Sequence, residues 1–199
     1  MIQGGARDSR NAPRGKRIGY GNPDFTVDDE IRSNHFHKKG ALVAPRQPDE
    51  KNPFKQSDVS QFFIVQGRLY SHGELDTLEM VVNNPIKSRI RKRFMTTEVR
   101  TQLKQLKAEG RVEEFRAIAD PLKVDMDAAF HLDPNKLIFS EAQRTAYTTI
   151  GGYPEIDGEY TVFGEVTEGL DVIDKIAKLK TDENNRPFTD VVINVKIVK

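Results

Sequence analysis

The hydrophobic positions in the first third of the chain come in short runs separated by glycine, proline, asparagine and aspartate. Two runs stand out, Gly-Ala-Leu-Val-Ala at residues 40–44 and Gln-Phe-Phe-Ile-Val at residues 61–65. Both are brief, rich in branched or aromatic side chains and bounded by turn formers, which is typical of buried strands in a barrel or sandwich. The pattern therefore predicts short strands joined by long loops over residues 1–67.

The hydrophobic period changes to that of a helix over residues 69–150. Val99, Leu103 and Leu106 fall at i, i+4 and i+7, so they share one helical face. A second such face is carried by Val112, Phe115, Ile118 and Ala119. We expect the second helix to end before Pro121, because the residue that precedes a proline is disfavoured in the α region.

The remainder of the chain returns to a strand pattern. Ser140 and Gln143 match a capping box that opens another helix through Thr148. Beyond it we predict a strand at residues 160–166, a helix at 169–179 and a final strand at 191–198. The sequence thus predicts two β-rich parts, residues 1–67 and 153–199, interrupted by a helical insertion at residues 68–152.

Composition narrows the function classes only slightly. With 37% hydrophobic and 31% charged residues the chain belongs to the globular class. A net charge of +1 creates no overall field for nucleic acid, so a nucleic-acid partner is not expected. Without cysteine there is no thiol or disulfide chemistry. The apolar runs are too short to span a bilayer, and no secretory signal is visible. We expect a soluble protein, either cytoplasmic or, if an upstream signal exists, exported to the periplasm.

Three segments together resemble the signature blocks of the cyclophilin-type peptidyl-prolyl cis-trans isomerases. They are Met-Ile-Gln-Gly-Gly at residues 1–5, Ser-Gln-Phe-Phe-Ile at 60–64 and Asp-Gly-Glu-Tyr-Thr-Val-Phe-Gly-Glu-Val at 157–166. The resemblance implies a mainly β fold with an α insertion, namely a cyclophilin-like antiparallel β-barrel that here lacks its N-terminal strands. It also implies isomerisation of X-Pro peptide bonds in proline-containing polypeptides to assist protein folding, with neither cofactor nor metal.

The resemblance assigns an apolar pocket for the proline ring. Phe63 matches the phenylalanine at the pocket floor, Met1 a methionine of the wall, and Ile156 the aliphatic residue that is usually leucine. Tyr160 occupies a position that is histidine in many eukaryotic members, and it keeps a flat wall with a polar tip. Glu155 stands where many members have tryptophan.

The polar residues of the implied site are glutamines and an altered Ala-Asn pair. Gln3 matches the catalytic-site glutamine that hydrogen-bonds the substrate backbone, and Gln61 matches a second glutamine that lines the cleft. Pro45 and Arg46 replace the usual Ala-Asn pair, so a backbone donor is lost and a charge is added at the cleft.

The family's catalytic arginine has no counterpart here, because it would precede Met1. We therefore expect the complete gene product to extend upstream, and residues 1–199 alone to carry unpaired strand edges. Two alternative functions remain open: a non-catalytic chaperone or scaffold that binds proline-containing peptides, and an adaptor that binds nucleic acid or acidic protein through the basic run at residues 87–93. His35 and His37 have a spacing that zinc can use, but no third ligand accompanies them, so no metal site is expected.

Overall fold

The structure, a computed structural model, describes residues 1–20 and 25–198. The chain divides into two compact units. Met1–Ser71 and the chain from Glu141 onward form the first, here called the sheet unit, and His72–Ser140 forms the second, here called the helical unit. The predicted division at residues 67/68 and 152/153 stays a prediction.

The sheet unit is built on short antiparallel strands. These are β1 (Ile2–Gly4), β2 (Thr26–Val27), β3 (Ala41–Val43), β4 (Ser57–Asp58), β5 (Phe62–Ile64) and β6 (Val162–Glu165). Four of them form a sheet in the order β1-β5-β3-β6, and β2 pairs with β4 in a second sheet. Antiparallel sheets and helices are thus present as predicted, whereas the strands within residues 1–20 and 25–198 do not close into a barrel.

One face of the four-stranded sheet carries the core of this unit. Gln3 on β1 and Val43 on β3 both lie opposite Phe63 on β5, and Val162 on β6 lies opposite Val43. Directly opposed residues point to the same face of a sheet, so these four side chains form a row across it. The buried cluster on this face comprises Ala41, Val43, Phe63 and Val65.

Five helices accompany the strands in the described part of the chain. The helical unit contains α1 (His72–Phe94), α2 (Thr97–Ala108) and α3 (Val112–Leu132), and the sheet unit contains α4 (Glu141–Thr149) and α5 (Leu170–Ala177). The helices predicted after Ser140 and over residues 169–179 are confirmed. None of the described helices combines the length and the hydrophobicity that crossing a membrane requires.

The helical unit packs α1 and α2 against α3. Leu103 and Leu106, predicted to share a face of α2, are both buried. The side chain of Thr96 caps α2 by accepting a hydrogen bond from the Val99 amide. Asn83 on α1 is buried and bonds both backbone groups of Leu137, which fixes the segment that follows α3 to α1.

Two sequence predictions are wrong in the described structure. Pro121 lies inside α3 and does not end it. Proline cannot donate the helical hydrogen bond to the carbonyl of Ala117, but Ala117 is exposed, so water can hydrate that carbonyl. Residues 191–198 form no strand. The segment passes beside β1, where Ile193 approaches Gly4, but it joins neither of the described sheets.

Candidate functional site

The candidate site lies on the face of the sheet that carries Phe63. Phe63 is 3% exposed and belongs to the buried cluster, against which Ile156 and Tyr160 pack. The Tyr160 ring meets the Phe63 ring edge-on, with centroids 5.6 Å apart and an interplanar angle of 88°. This geometry is favourable for two aromatic rings. The structure therefore brings together three of the four residues predicted to form the apolar pocket and its wall.

The two glutamines predicted for the cleft lie beside this apolar group. Gln3 opposes Phe63 directly, and Gln61 is two residues from Phe63, so all three share a face. The Gln3 Nε2 group donates a hydrogen bond of 3.0 Å to Gln61 Oε1. Met1, the fourth predicted pocket residue, precedes β1 and is 65% exposed, which leaves most of its side chain in solvent.

Arg46 closes one side of Tyr160. Its guanidinium carbon lies 5.2 Å from the centroid of the Tyr160 ring. Arg46 Nε donates to the backbone oxygen of Glu159 at 2.7 Å, and Nη2 donates to a Glu159 carboxylate oxygen at 2.7 Å. Burial acts to lower the pKa of Arg46, but the hydrogen bonds and charges of Asp49 and Glu159 raise it above its ordinary value. The charge predicted at the cleft is thus present and paired. Its neighbour Pro45 accepts a backbone hydrogen bond from Asp58.

A buried carboxylate that the sequence analysis missed holds the segment between Ile156 and Tyr160. Asp157 Oδ1 accepts hydrogen bonds from the backbone N–H and the Nδ1 atom of His37, both at 2.9 Å. Its Oδ2 accepts from the Tyr147 hydroxyl at 2.6 Å and from Gln143 Nε2 at 3.1 Å. We call these four residues, Gln143, Tyr147, Asp157 and His37, the Asp157 anchor. They satisfy the acceptor capacity of a carboxylate.

The Asp157 anchor lies inside the protein. The side chains of His37 and Asp157 are 1% and 10% exposed. Because a carboxylate oxygen accepts, the hydrogen lies on Nδ1 of His37, and Nε2 is buried with no hydrogen-bond partner. The bond to Asp157 gives His37 a structural partner in place of the metal that the His35 and His37 spacing permits. No group of three or more potential metal ligands occurs among the described residues.

A second tyrosine, Tyr70, binds the carboxylate of Glu155, two residues before Asp157. The Tyr70 hydroxyl donates to both carboxylate oxygens of Glu155, at 2.8 and 2.7 Å. Burial raises the pKa of Tyr70, and the hydrogen bond to Glu155 acts in the same direction. Burial also raises the pKa of Tyr147, assisted by the negative charge of Asp157. Both hydroxyls are therefore protonated donors at neutral pH.

Gly152 lets its own backbone approach His37 and Tyr147 closely. Its N–H donates to the Arg68 carbonyl, and the next residue, Tyr153, donates to the His37 carbonyl. A Cβ at position 152 would lie 2.5 Å from the His37 carbonyl oxygen and 2.5 Å from a ring carbon of Tyr147. Only glycine allows this approach. The short 3₁₀ turn Pro154–Ile156 follows and leads into Asp157.

Comparison with known proteins matches the C-terminal part of the candidate site. Residues 141–197 match the family model described as cyclophilin type peptidyl-prolyl cis-trans isomerase/CLD. This range includes three members of the Asp157 anchor together with Ile156 and Tyr160. The resemblance predicted from the sequence is confirmed here.

Curated relatives match over short stretches. The chain is 44% identical over 54 residues to peptidyl-prolyl cis-trans isomerase CYP71 of Arabidopsis thaliana, which covers 27% of this chain and 9% of that protein. It is 48% identical over 40 residues to peptidyl-prolyl cis-trans isomerase D of Saccharomyces cerevisiae, covering 20% and 18%. It is 31% identical over 84 residues to peptidyl-prolyl cis-trans isomerase CYP8 of the same yeast, covering 41% and 27%. The chain thus spans less than a third of each of these relatives.

Proposed function

We propose that this chain, which matches the cyclophilin-type family over residues 141–197, is a peptidyl-prolyl cis-trans isomerase that acts on proline-containing polypeptides. The observation that supports this most directly is the grouping of Phe63, Ile156 and Tyr160 next to two hydrogen-bonded glutamines on one face of the sheet. An apolar group that can receive a proline ring therefore adjoins amides that can bind a peptide backbone.

This arrangement fits the chemistry of X-Pro isomerisation. The cis and trans forms differ by only about 0.5–1 kcal/mol but are separated by a barrier of roughly 18–20 kcal/mol, because rotation breaks amide resonance. No covalent step is needed. The site must bind the twisted amide more tightly than the planar forms, which requires a fixed proline ring and donors aimed at the neighbouring backbone.

The roles of the individual residues follow from their positions. Phe63 and Ile156 provide apolar contact for the ring, and Tyr160 forms a wall that Arg46 contacts through its guanidinium group. Gln3 and Gln61 hold the substrate backbone. Met1, which is mostly exposed, offers further apolar surface to the ring.

We also propose that the four-stranded sheet closes into a cyclophilin-like antiparallel β-barrel in the whole protein. The observation behind this is that β1 and β6 are the two edges of that sheet. Unpaired edges of this kind are usually covered or closed in stable β proteins.

The experiment is an NMR exchange assay of a short Ala-Pro peptide with the full chain and with Gln61→Ala. We expect the protein to accelerate exchange and Gln61→Ala to lower kcat/KM roughly 2- to 10-fold, the effect of one lost hydrogen bond. Gln66→Ala is the matched control, because Gln66 bonds Asp174 and lies outside the site. Binding of the peptide without exchange would favour the non-catalytic peptide-binding alternative. Absence of both binding and exchange would contradict the proposal.

A further inference from the structure

We propose that the Asp157 anchor is a positioning device for the candidate site, in which the Nδ1–H group of His37 sets the orientation of the Tyr160 wall. The inference rests on the proposed function, since the site that it positions is the proline pocket. His37 itself is a positioning residue, because it is completely buried and cannot reach a substrate.

The path of the chain places Asp157 between two residues of the candidate site. Asp157 directly follows Ile156 and precedes Tyr160 by three residues. Four hydrogen bonds fix both of its carboxylate oxygens, so the backbone on either side has little freedom to move. Two of the four bonds come from one residue, His37, through its backbone and its ring. Such paired contacts fix direction as well as distance.

A continuous series of ring contacts links His37 to the candidate site. The His37 ring meets the Tyr160 ring edge-on, with centroids 6.3 Å apart and an interplanar angle of 79°. Tyr160 in turn meets Phe63 edge-on. The hydrogen bond from Nδ1 to Asp157 fixes the plane of the imidazole. The same ring therefore links the buried carboxylate to the aromatic wall.

The two ring nitrogens of His37 differ in their hydrogen bonding. A buried ring nitrogen without a hydrogen bond is uncommon in proteins. Nε2 of His37 is buried and has no partner among the described residues, so the specific contacts of this side chain are made by its other atoms. The contacts that remain are the Nδ1–H bond and the ring face, and both act on the segment that carries Ile156 and Tyr160.

These contacts define a pair of variants. In His37→Asn the side-chain amide nitrogen can occupy the place of Nδ1 and still donate to Asp157, whereas in His37→Gln the amide lies one carbon further out. Neither variant retains the imidazole ring, so both lose the contact between residue 37 and the Tyr160 ring. They differ only in the hydrogen bond to Asp157. Ile173→Val, a buried substitution on α5, is the control for a general loss of stability in the same unit.

The experiment measures two quantities on the full chain: the nuclear Overhauser effect between the Tyr160 and Phe63 ring protons, and kcat/KM for an Ala-Pro peptide. We expect His37→Gln to lose the contact between the Tyr160 and Phe63 rings and to lower kcat/KM about tenfold, chiefly through a higher KM. We expect His37→Asn to keep the contact between the Tyr160 and Phe63 rings and to lower kcat/KM about threefold. Ile173→Val keeps both.

Three results would overturn the inference. They are an unchanged Tyr160–Phe63 contact in His37→Gln, equal losses of that contact and of kcat/KM in His37→Asn and His37→Gln, and the same losses in Ile173→Val. If His37→Gln does not fold, Tyr147→Phe provides a milder change, since it removes one donor to Asp157 and keeps the ring, and the Tyr160–Phe63 contact must then weaken. An unmodified protein that shows no exchange or peptide binding contradicts the proposed function. The ring-contact measurement still decides the inference in that case.

Discussion

Two polar clusters in this protein have similar hydrogen-bonding but very different surroundings. In the sheet unit, Asp157 receives four hydrogen bonds and its side chain is 10% exposed. In the helical unit, Arg111 bonds Glu109 and Glu114 between α2 and α3, and its side chain is 48% exposed. The hydrogen bonds of Arg111 lower the pKa of both glutamates.

This difference shows why the number of hydrogen bonds in a polar cluster does not measure its contribution to folding stability. Water can replace each partner of Arg111, so its pairs are screened and contribute little to folding. His37 and Tyr147 are fully buried, so removal of Asp157 would leave their donors unsatisfied inside the protein. We therefore expect the stability of the sheet unit to depend on its polar cluster, and that of the helical unit to depend on its apolar contacts.

The largest expected effect comes from Gly152→Ala. The added methyl group would overlap the His37 carbonyl and the Tyr147 ring, and backbone cannot move aside as a flexible side chain can. We expect the free energy of unfolding to fall by about 3 kcal/mol or more, measured by urea unfolding. Gly164→Ala is the control, because a Cβ there would meet Leu42 at an ordinary 3.4 Å. Equal effects of the two substitutions would show that the approach at Gly152 is not constrained.

Asp157→Ala is expected to have the next largest effect. It removes the acceptor for His37, Tyr147 and Gln143 together, and unfolding free energy should fall by about 2 kcal/mol. Asp49→Ala is the matched control, since Asp49 also bonds a buried partner, Arg46, but its own side chain is 64% exposed. A loss for Asp49→Ala as large as that for Asp157→Ala would contradict the assignment of stability to burial.

Much of the local structure could be predicted from the sequence because its signals are local. The apolar runs at residues 40–44 and 61–65 contain β3 and β5. The helical period correctly indicated that Leu103 and Leu106 face inward. The resemblance to the cyclophilin-type family also predicted that Phe63, Ile156 and Tyr160 lie together, which the hydrophobic period alone does not indicate.

The Asp157 anchor could not be predicted, because it joins residues that are 120 positions apart. His37 carries no local sign of burial, and its spacing from His35, which zinc can use, does not indicate a carboxylate partner. The course of α3 through Pro121 was missed for another reason: the cost of a helical proline is real, about 3 kcal/mol, but the packing of α3 on α1 and α2 offsets it. Residues 191–198 show the reverse case, a strand-like pattern without a partner strand in the described structure.

Tyr147→Phe tests the protonated donor of the buried cluster. We expect a loss of about 1 kcal/mol at neutral pH, since one hydrogen bond disappears and the ring packing remains. The pKa of Tyr147 is raised in the folded protein, so its contribution is fully present below the unfolded value, near pH 10, and is lost as the pH rises through the folded value. Stability should therefore fall above about pH 10, less steeply in Tyr147→Phe. Parallel pH profiles for the two proteins would contradict the role given to the hydroxyl.

Arg111→Ala is expected to have the smallest effect. Although it removes several hydrogen bonds, Glu109 and Glu114 become hydrated when their partner is lost, because all three side chains are well exposed. The unfolding midpoint should be indistinguishable from that of the unmodified protein at physiological salt. Leu106→Ala is the comparison within the same unit, and it should lower the stability of that unit by about 2–5 kcal/mol because Leu106 is buried. If Arg111→Ala were instead as damaging as Leu106→Ala or Asp157→Ala, exposure would not separate the two clusters, and the helical unit would depend on its ion pairs as the sheet unit depends on Asp157.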